Sequence, residues 1–129
     1  MAGESILIVD DNPTNLKLAR IVLEGEDYAV TTAVNAAEVL DLPASIRPRL
    51  ILMDIQLPDL DGLELTRRLR KDPRYEGVLI VALTAYAMKG DRAKAMDAGC
   101  DGYITKPIDI RAFPEQVARA LAGESPQNA

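Results

Sequence analysis

The sequence predicts an α/β fold, a doubly wound five-stranded parallel sheet with five helices, for which a 2-1-3-4-5 strand order would set the first and third strands side by side. Three observations lead there. Short apolar runs without polar alternation recur along the chain, as strands buried on both faces require. Helix-period segments separate them, and strict alternation of strand and helix favours parallel pairing through right-handed crossovers. Four of the runs also stop at polar residues of different chemical kinds. Parallel strands all point one way, so these stops gather at one edge of the sheet, where open α/β sheets hold ligands.

The elements follow in order. Ile6-Leu7-Ile8-Val9 is the first strand, stopped by Asp10 and Asp11. Pro13 suits a helix start, and Asn15, Leu18, Ala19, Val22 and Leu23 share one face of that helix, which Gly25 ends. Residues 28–33 read as the second strand and 36–42 as a short helix. Pro43 and Pro48 make the next stretch irregular. Leu50-Ile51-Leu52-Met53 is the third strand, stopped by Asp54. Asp61-Gly62 opens a helix with Leu65 and Leu69 inward, and Asp72-Pro73 closes it. Residues 79–83 form the fourth strand, stopped by Thr84. Residues 91–98 form an Ala-rich helix ended by Gly99. Its inward anchors are Ala93 and Met96, so it is the least firmly packed helix. Tyr103-Ile104-Thr105 is the last strand, stopped by Lys106-Pro107. Asp109 can cap the last helix, with Phe113, Val117 and Leu121 inward. Pro114 then either delays its start or forces an irregular first turn.

At 129 residues the chain suits one domain, residues 1–122, followed by a small, polar, flexible tail at 123–129. Hydrophobic residues make up 48% and aromatics only 4%, so the core is aliphatic. A net charge of -5 argues against nucleic-acid binding, which needs a basic surface. The first residues lack the basic region of a secretory signal, and no run approaches membrane-spanning length. The single cysteine, Cys100, excludes an intramolecular disulfide, and a cytoplasmic setting is expected.

The chemistry lies at the strand ends. In a 2-1-3-4-5 sheet the first and third strands flank the switch point, and they carry Asp10, Asp11 and Asp54. Three clustered carboxylates repel one another, and a hard cation removes the conflict; oxygen ligands favour Mg²⁺. With a cation present, one carboxylate can act as nucleophile toward a phosphoryl group. Lys106 can neutralise phosphoryl oxygens and Thr84 can hydrogen-bond one. Each residue alone has an ordinary explanation as a cap, a turn former or a solvated loop. Their coincidence at strand carboxyl ends is what the ordinary explanation lacks.

The stretches Ile-Leu-Ile-Val-Asp10-Asp11-Asn12, Leu-Ile-Leu-Met-Asp54-Ile-Gln-Leu-Pro58-Asp-Leu-Asp-Gly62, Ala-Leu-Thr84-Ala85 and Tyr103-Ile-Thr-Lys106-Pro107 resemble the receiver domains of bacterial two-component response regulators, across residues 5–122. The segments Ala87-Met-Lys-Gly-Asp-Arg92 and Ala98-Gly-Cys-Asp-Gly102 resemble single-domain regulators of the DivK type, or receiver modules of hybrid kinases. The resemblance implies the flavodoxin-like receiver fold. It implies Asp54 as phosphoacceptor, with Asp11, Asp54 and the Gln56 backbone carbonyl as Mg²⁺ ligands and Asp10 acting through a water on the metal. It implies Lys106 on the phosphoryl group, Thr84 and Tyr103 as a switch pair, a small Ala85 beside the site, and a cis Lys106-Pro107 bond.

The implied function is a phosphorelay switch, not an enzyme. The phosphoryl group would come from a histidine kinase or a histidine phosphotransfer protein, and the output would be contact with an effector protein. A module excised from a hybrid kinase, or a relay intermediate, is the alternative. The expected state is a monomer or weak dimer without nucleic acid or membrane insertion. A phosphatase of the haloacid dehalogenase type also forms an aspartyl phosphate, but it carries Asp-x-Asp. Asn12 and Gln56 stand two residues after Asp10 and Asp54, and neither transfers protons. A degenerate receiver would have lost an acidic or lysine position, and this chain retains them.

Other segments read as structural. Arg67-Arg68-Leu69-Arg70-Lys71 reads as a solvated helix face, Cys100 as a small packed residue, and Met88 and Met96 as gap fillers. Leu16 is either an exposed anchor for a partner helix or a residue packed at the core edge.

Overall fold

The structure, a computed structural model, describes residues 3–84 and 89–123. Five parallel strands, β1 (Ser5–Val9), β2 (Ala29–Ala33), β3 (Leu50–Asp54), β4 (Leu79–Thr84) and β5 (Gly102–Thr105), form one sheet of order β2-β1-β3-β4-β5. The helices are α1 (Pro13–Gly25), α2 (Ala36–Leu40), α3 (Gly62–Arg70), α4 (Lys89–Ala98) and α5 (Phe113–Leu121). A single 3₁₀ turn at Pro73–Tyr75 leads into β4. The doubly wound architecture and strand order are those expected.

The two-residue period of the strands divides the core into two layers. Leu7, Val9, Ile51, Met53, Ile80 and Ala82 face α2, α3 and α4. Ile6, Ile8, Leu50, Leu52, Val81 and Leu83 face α1 and α5 through Ala19, Leu23, Phe113 and Val117. Strands buried on both faces have no polar side, which is why the runs show no alternation.

Local chemistry sets the helix starts. Asn12 Oδ1 accepts the Thr14 and Asn15 N–H groups at 2.9 and 3.2 Å, with Pro13 in the first turn. Asn35 accepts the Glu38 N–H at 2.8 Å, while Glu38 accepts the Val34 N–H, a reciprocal cap. Asp61 accepts the Leu63 N–H at 2.8 Å. α5 takes the later start: Asp109 caps an irregular turn through the Arg111 N–H, and Pro114 falls harmlessly in the first turn of Phe113–Leu121.

Three expectations need correction. The inward residues of α4 are Ala95 and Ala98, whereas Ala93 is exposed and Met96 is 42% exposed. Small residues let this helix approach the sheet without a large anchor. On α1, Leu16 packs with Ala19, Val22 and Leu23 against the core; Leu18 instead lines a surface hollow with Pro13, Thr14, Lys17 and Ile21. Arg70 is no solvated residue. Its guanidinium donates to the Gly99 and Val78 carbonyls at 2.8 and 2.6 Å and to Asp101 Oδ2 at 2.6 Å. Asp101 Oδ2 also takes the Ile80 N–H, so the pair ties α3, β4 and the end of α4. Arg67 and Arg68 do lie on an exposed face, paired with Glu64.

Ala85, Met88 and residues 124–129 of the expected tail lie outside the described residues.

Candidate functional site

The ends of β1 and β3 lie side by side, with Val9 in register with Met53. The next residue of each strand path is an aspartate, and both fold back in the same way. Asp10 Oδ1 accepts the Asn12 N–H at 2.9 Å, and Asp54 Oδ1 accepts the Gln56 N–H at 2.9 Å. These turns mimic a backbone bond and fix each carboxylate. The second oxygen of each faces Lys106, whose Nζ is 3.2 Å from Asp10 Oδ2 and 3.0 Å from Asp54 Oδ2. Lys106 follows β5, and its own N–H donates to the Thr84 carbonyl at 2.7 Å, which ties the lysine to the end of β4. The Lys106–Pro107 peptide is cis, as expected.

Asp10 and Asp54 are 1% and 4% exposed, whereas Asp11 is exposed. Oxygens of all three carboxylates lie within 4.8 Å of one another. Burial pushes the Asp54 carboxyl above its ordinary value; the Gln56 N–H and Lys106 pull it back without cancelling the effect. Burial opposes the Lys106 ammonium, but its hydrogen bond to Asp54 and the charges of Asp10 and Asp54 prevail and raise its pKa.

Three ionised carboxylates against one ammonium leave two negative charges in a partly dry cleft. Clustered oxygen donors with that deficit fit a hard divalent cation. Lys106 fits the opposite need, a cation at the rim able to meet the oxygens of an incoming anion.

Thr84 is buried at the end of β4, in register with Thr105. Tyr103 lies on β5 opposite Ala82, half-buried against the layer that holds α3 and α4. The Arg92 guanidinium stands 5.7 Å from its ring centroid. Gln56 is exposed two residues after Asp54. Asp10, Asp11, Asp54 and Lys106 thus converge, Thr84 ends the neighbouring strand, and Tyr103 sits further back on the outer strand.

Two residues near the site escaped the sequence reading. A Cβ on Gly62 would come within 2.7 Å of Ile55 Cα and would clash with the Asp54 carbonyl oxygen, so only glycine lets α3 start against the β3 end. The Asp-Gly pair was legible as a helix start but not as a close approach. Asp59 accepts the Ala36 and Ala37 N–H groups, both at 3.0 Å. Its partners lie 23 and 22 residues away, so no local pattern reveals them.

The acidic edge of a 2-1-3-4-5 sheet, closed by a lysine from the last strand, is the arrangement of a response regulator receiver domain. The chain belongs to that family, whose model matches residues 6–118. It is similar to the polar-differentiation response regulator DivK of Brucella anthropi, 44% identical over 118 residues, covering 92% of this chain and 96% of that protein. Among solved structures, a putative response regulator from Chloroflexus aurantiacus superposes with a TM-score of 0.86 at 30% identity, over 93% of this chain and 98% of its own. The receiver domain of a sensor histidine kinase from Pseudomonas aeruginosa superposes with a TM-score of 0.83 at 35% identity, over 94% of this chain and 99% of its own. That receiver holds a magnesium ion in its active-site cleft. No helix among the described residues is long and apolar enough to cross a membrane.

Proposed function

We propose that this receiver, spanning residues 1–122, accepts a phosphoryl group from a phosphohistidine onto Asp54 and signals by protein contact. One observation carries the reading: Lys106 Nζ meets both Asp10 and Asp54 on the oxygens their turns leave facing it, beside Asp11. Asp11, Asp54 and the Gln56 carbonyl would hold Mg²⁺, with Asp10 supporting it. The ion supplies charge neutralisation and alignment of the phosphoryl oxygens.

Asp54 is positioned for in-line attack. Its Oδ2 forms the bond to phosphorus as the P–N bond breaks, and the electron pair stays on the imidazole nitrogen. The imidazole, protonated on its other nitrogen, leaves neutral. Lys106 stabilises charge spread over the phosphoryl oxygens. The protein works on itself, so its role is signalling and not turnover. The donor is a histidine kinase or a histidine phosphotransfer protein, and a reduced, cytoplasmic setting fits the single buried thiol of Cys100. The likeness to a histidine kinase receiver favours one second reading, a relay intermediate that passes the group onward.

Thr84 would be drawn toward the phosphoryl group, and Tyr103 would follow. α4 is seated by small residues, Ala95 and Ala98, so two packings of similar energy are within reach. Amide chemical shifts with and without beryllofluoride test the output. Changes are expected from Thr84 through α4 to Tyr103, and Thr84→Ala should still accept phosphate but lose them. Changes confined to the strand ends contradict the switch.

A further inference from the structure

The loop between β3 and α3, residues 55–61, is tied at both ends. The Ile55 N–H donates to the Leu83 carbonyl at 3.3 Å, and the Gly62 N–H returns to the Ile55 carbonyl at 3.1 Å. Leu57 and Leu60 pack against the α2–α3 layer of the core. From the middle of the loop the Asp59 side chain reaches out to α2, Oδ1 accepting the Ala36 N–H and Oδ2 the Ala37 N–H. Those are the first two N–H groups of α2, which lack intrahelical partners. Asn35 takes the third, from Glu38, so α2 already has a cap of its own. The bidentate contact of Asp59 therefore anchors the loop as well as the helix. The N–H groups of Ala36, chiefly, and of Ala37 hold the exposed Asp59 carboxyl below its usual range, as paired donors on an ionised acceptor should.

We infer that Asp59 is a positioning residue: by clamping the 55–61 loop to the start of α2, it holds the segment carrying Gln56 at the acidic cleft. The inference rests on the Mg²⁺ reading above. Three links connect clamp to site. Gln56 lies three residues before Asp59 on the same loop. Its N–H fixes Asp54 Oδ1. Its carbonyl is the ligand assigned to the loop. A loop released at Asp59 would retain its two ends but let Gln56 wander, and both contacts of Gln56 with the site would weaken together. Ligand affinity depends on such supporting groups as well as on the ligands themselves.

The test compares Asp59→Ala, Asp59→Asn and Asn35→Ala with the wild type, by Mg²⁺ titration calorimetry and by amide hydrogen exchange in metal-free protein. Asn35→Ala weakens the same helix without touching the loop, and Asp59→Asn keeps an acceptor while removing the charge. Asp59→Ala is expected to weaken Mg²⁺ binding about tenfold, the lower end of losses on removing groups that support metal ligands. It should also speed exchange of the Gln56 N–H. Asp59→Asn keeps one of the two acceptors and sets its NH2 against the other N–H, so its loss should fall between wild type and Asp59→Ala, and Asn35→Ala should leave both readouts near wild type. Wild-type affinity in Asp59→Ala, an equal loss in Asn35→Ala, or wild-type exchange of the Gln56 N–H in Asp59→Ala would each overturn the positioning role. A wild-type protein that binds no Mg²⁺ would overturn the functional reading instead, and the exchange of Gln56 would still decide whether Asp59 holds the loop.

Discussion

Lys106 Nζ lies 3.0 Å from Asp54 Oδ2, on the one oxygen of that carboxylate that the Gln56 N–H does not occupy. The lysine is thus both the partner of the buried carboxylate and a competitor for any cation that seeks it. It shares itself with Asp10 at 3.2 Å, so a single ammonium steadies two buried negative charges.

Lys106→Met separates these roles. Without metal, Asp10 and Asp54 lose their shared counter-ion, and the fold should weaken by roughly 3 kcal/mol, the lower end for breaking a buried pair. Mg²⁺ should bind more tightly and restore the thermal midpoint. Phosphoryl transfer should nevertheless slow by about 10²–10³-fold, as when one transition-state donor is removed. Thermal melts with and without Mg²⁺, set beside initial labelling rates, check all three. Weaker Mg²⁺ binding in the variant would contradict the competition.

The raised pKa of Asp54 gives a pH dependence of known sign. The folded protein holds this proton more tightly than the unfolded chain does. Its contribution to stability is therefore complete below the ordinary value of 3.8 and is lost as pH rises through the elevated folded value. Lys106, also raised, contributes below its ordinary 10.5 and loses that contribution as pH climbs through its own elevated value. At neutral pH without metal, Asp54→Asn should therefore melt higher than wild type. The gain should vanish as pH falls to 3.8. Mg²⁺ affinity should decline over the same descent, because proton and cation compete for Asp54. Melts and calorimetry across that range decide it, and Mg²⁺ binding that does not change with pH would contradict Asp54 as a ligand.

One apolar feature available to a phosphohistidine donor is Ile21, 57% exposed and lining a hollow with Pro13, Thr14, Lys17 and Leu18. Leu16 is held against the core. Leu16→Ala should cost about 1–2 kcal/mol of stability, less than for a fully buried leucine. Ile21→Ala should leave stability within roughly 0.5 kcal/mol. It should slow transfer from the donor by about tenfold, a loss near 1.4 kcal/mol at an apolar anchor. Labelling by acetyl phosphate, which needs no docking, should be unchanged. Equal slowing with both donors would contradict a docking role for Ile21.

The sheet and the candidate site are legible in the sequence because both are written in contiguous residues. An apolar run that stops at Asp10, Asp54, Thr84 or Lys106 places that residue at a strand's end, and parallel strands bring such ends together. Residues whose meaning depends on helix rotation were harder. Leu16 and Leu18 differ only in how α1 rolls on the sheet. α4 offers several alanines and little apolar contrast, so Ala95 and Ala98 could not be told from Ala93. Least legible were the long-range ties. Arg70 finds Val78 and Gly99, and Asp59 finds α2, through backbone groups that any sequence would present, and the Asp101 carboxylate that Arg70 also meets lies 31 residues away.

The most direct test of the account is the identity of the phosphorylated residue. The protein is incubated with acetyl phosphate and Mg²⁺, and the modified residue is located by mass spectrometry after borohydride trapping. The account predicts one phosphoryl group per chain, on Asp54, absent without divalent cation and absent in Asp54→Ala. Stable stoichiometric phosphate on another residue of the native protein, with Asp54 unmodified, would contradict it.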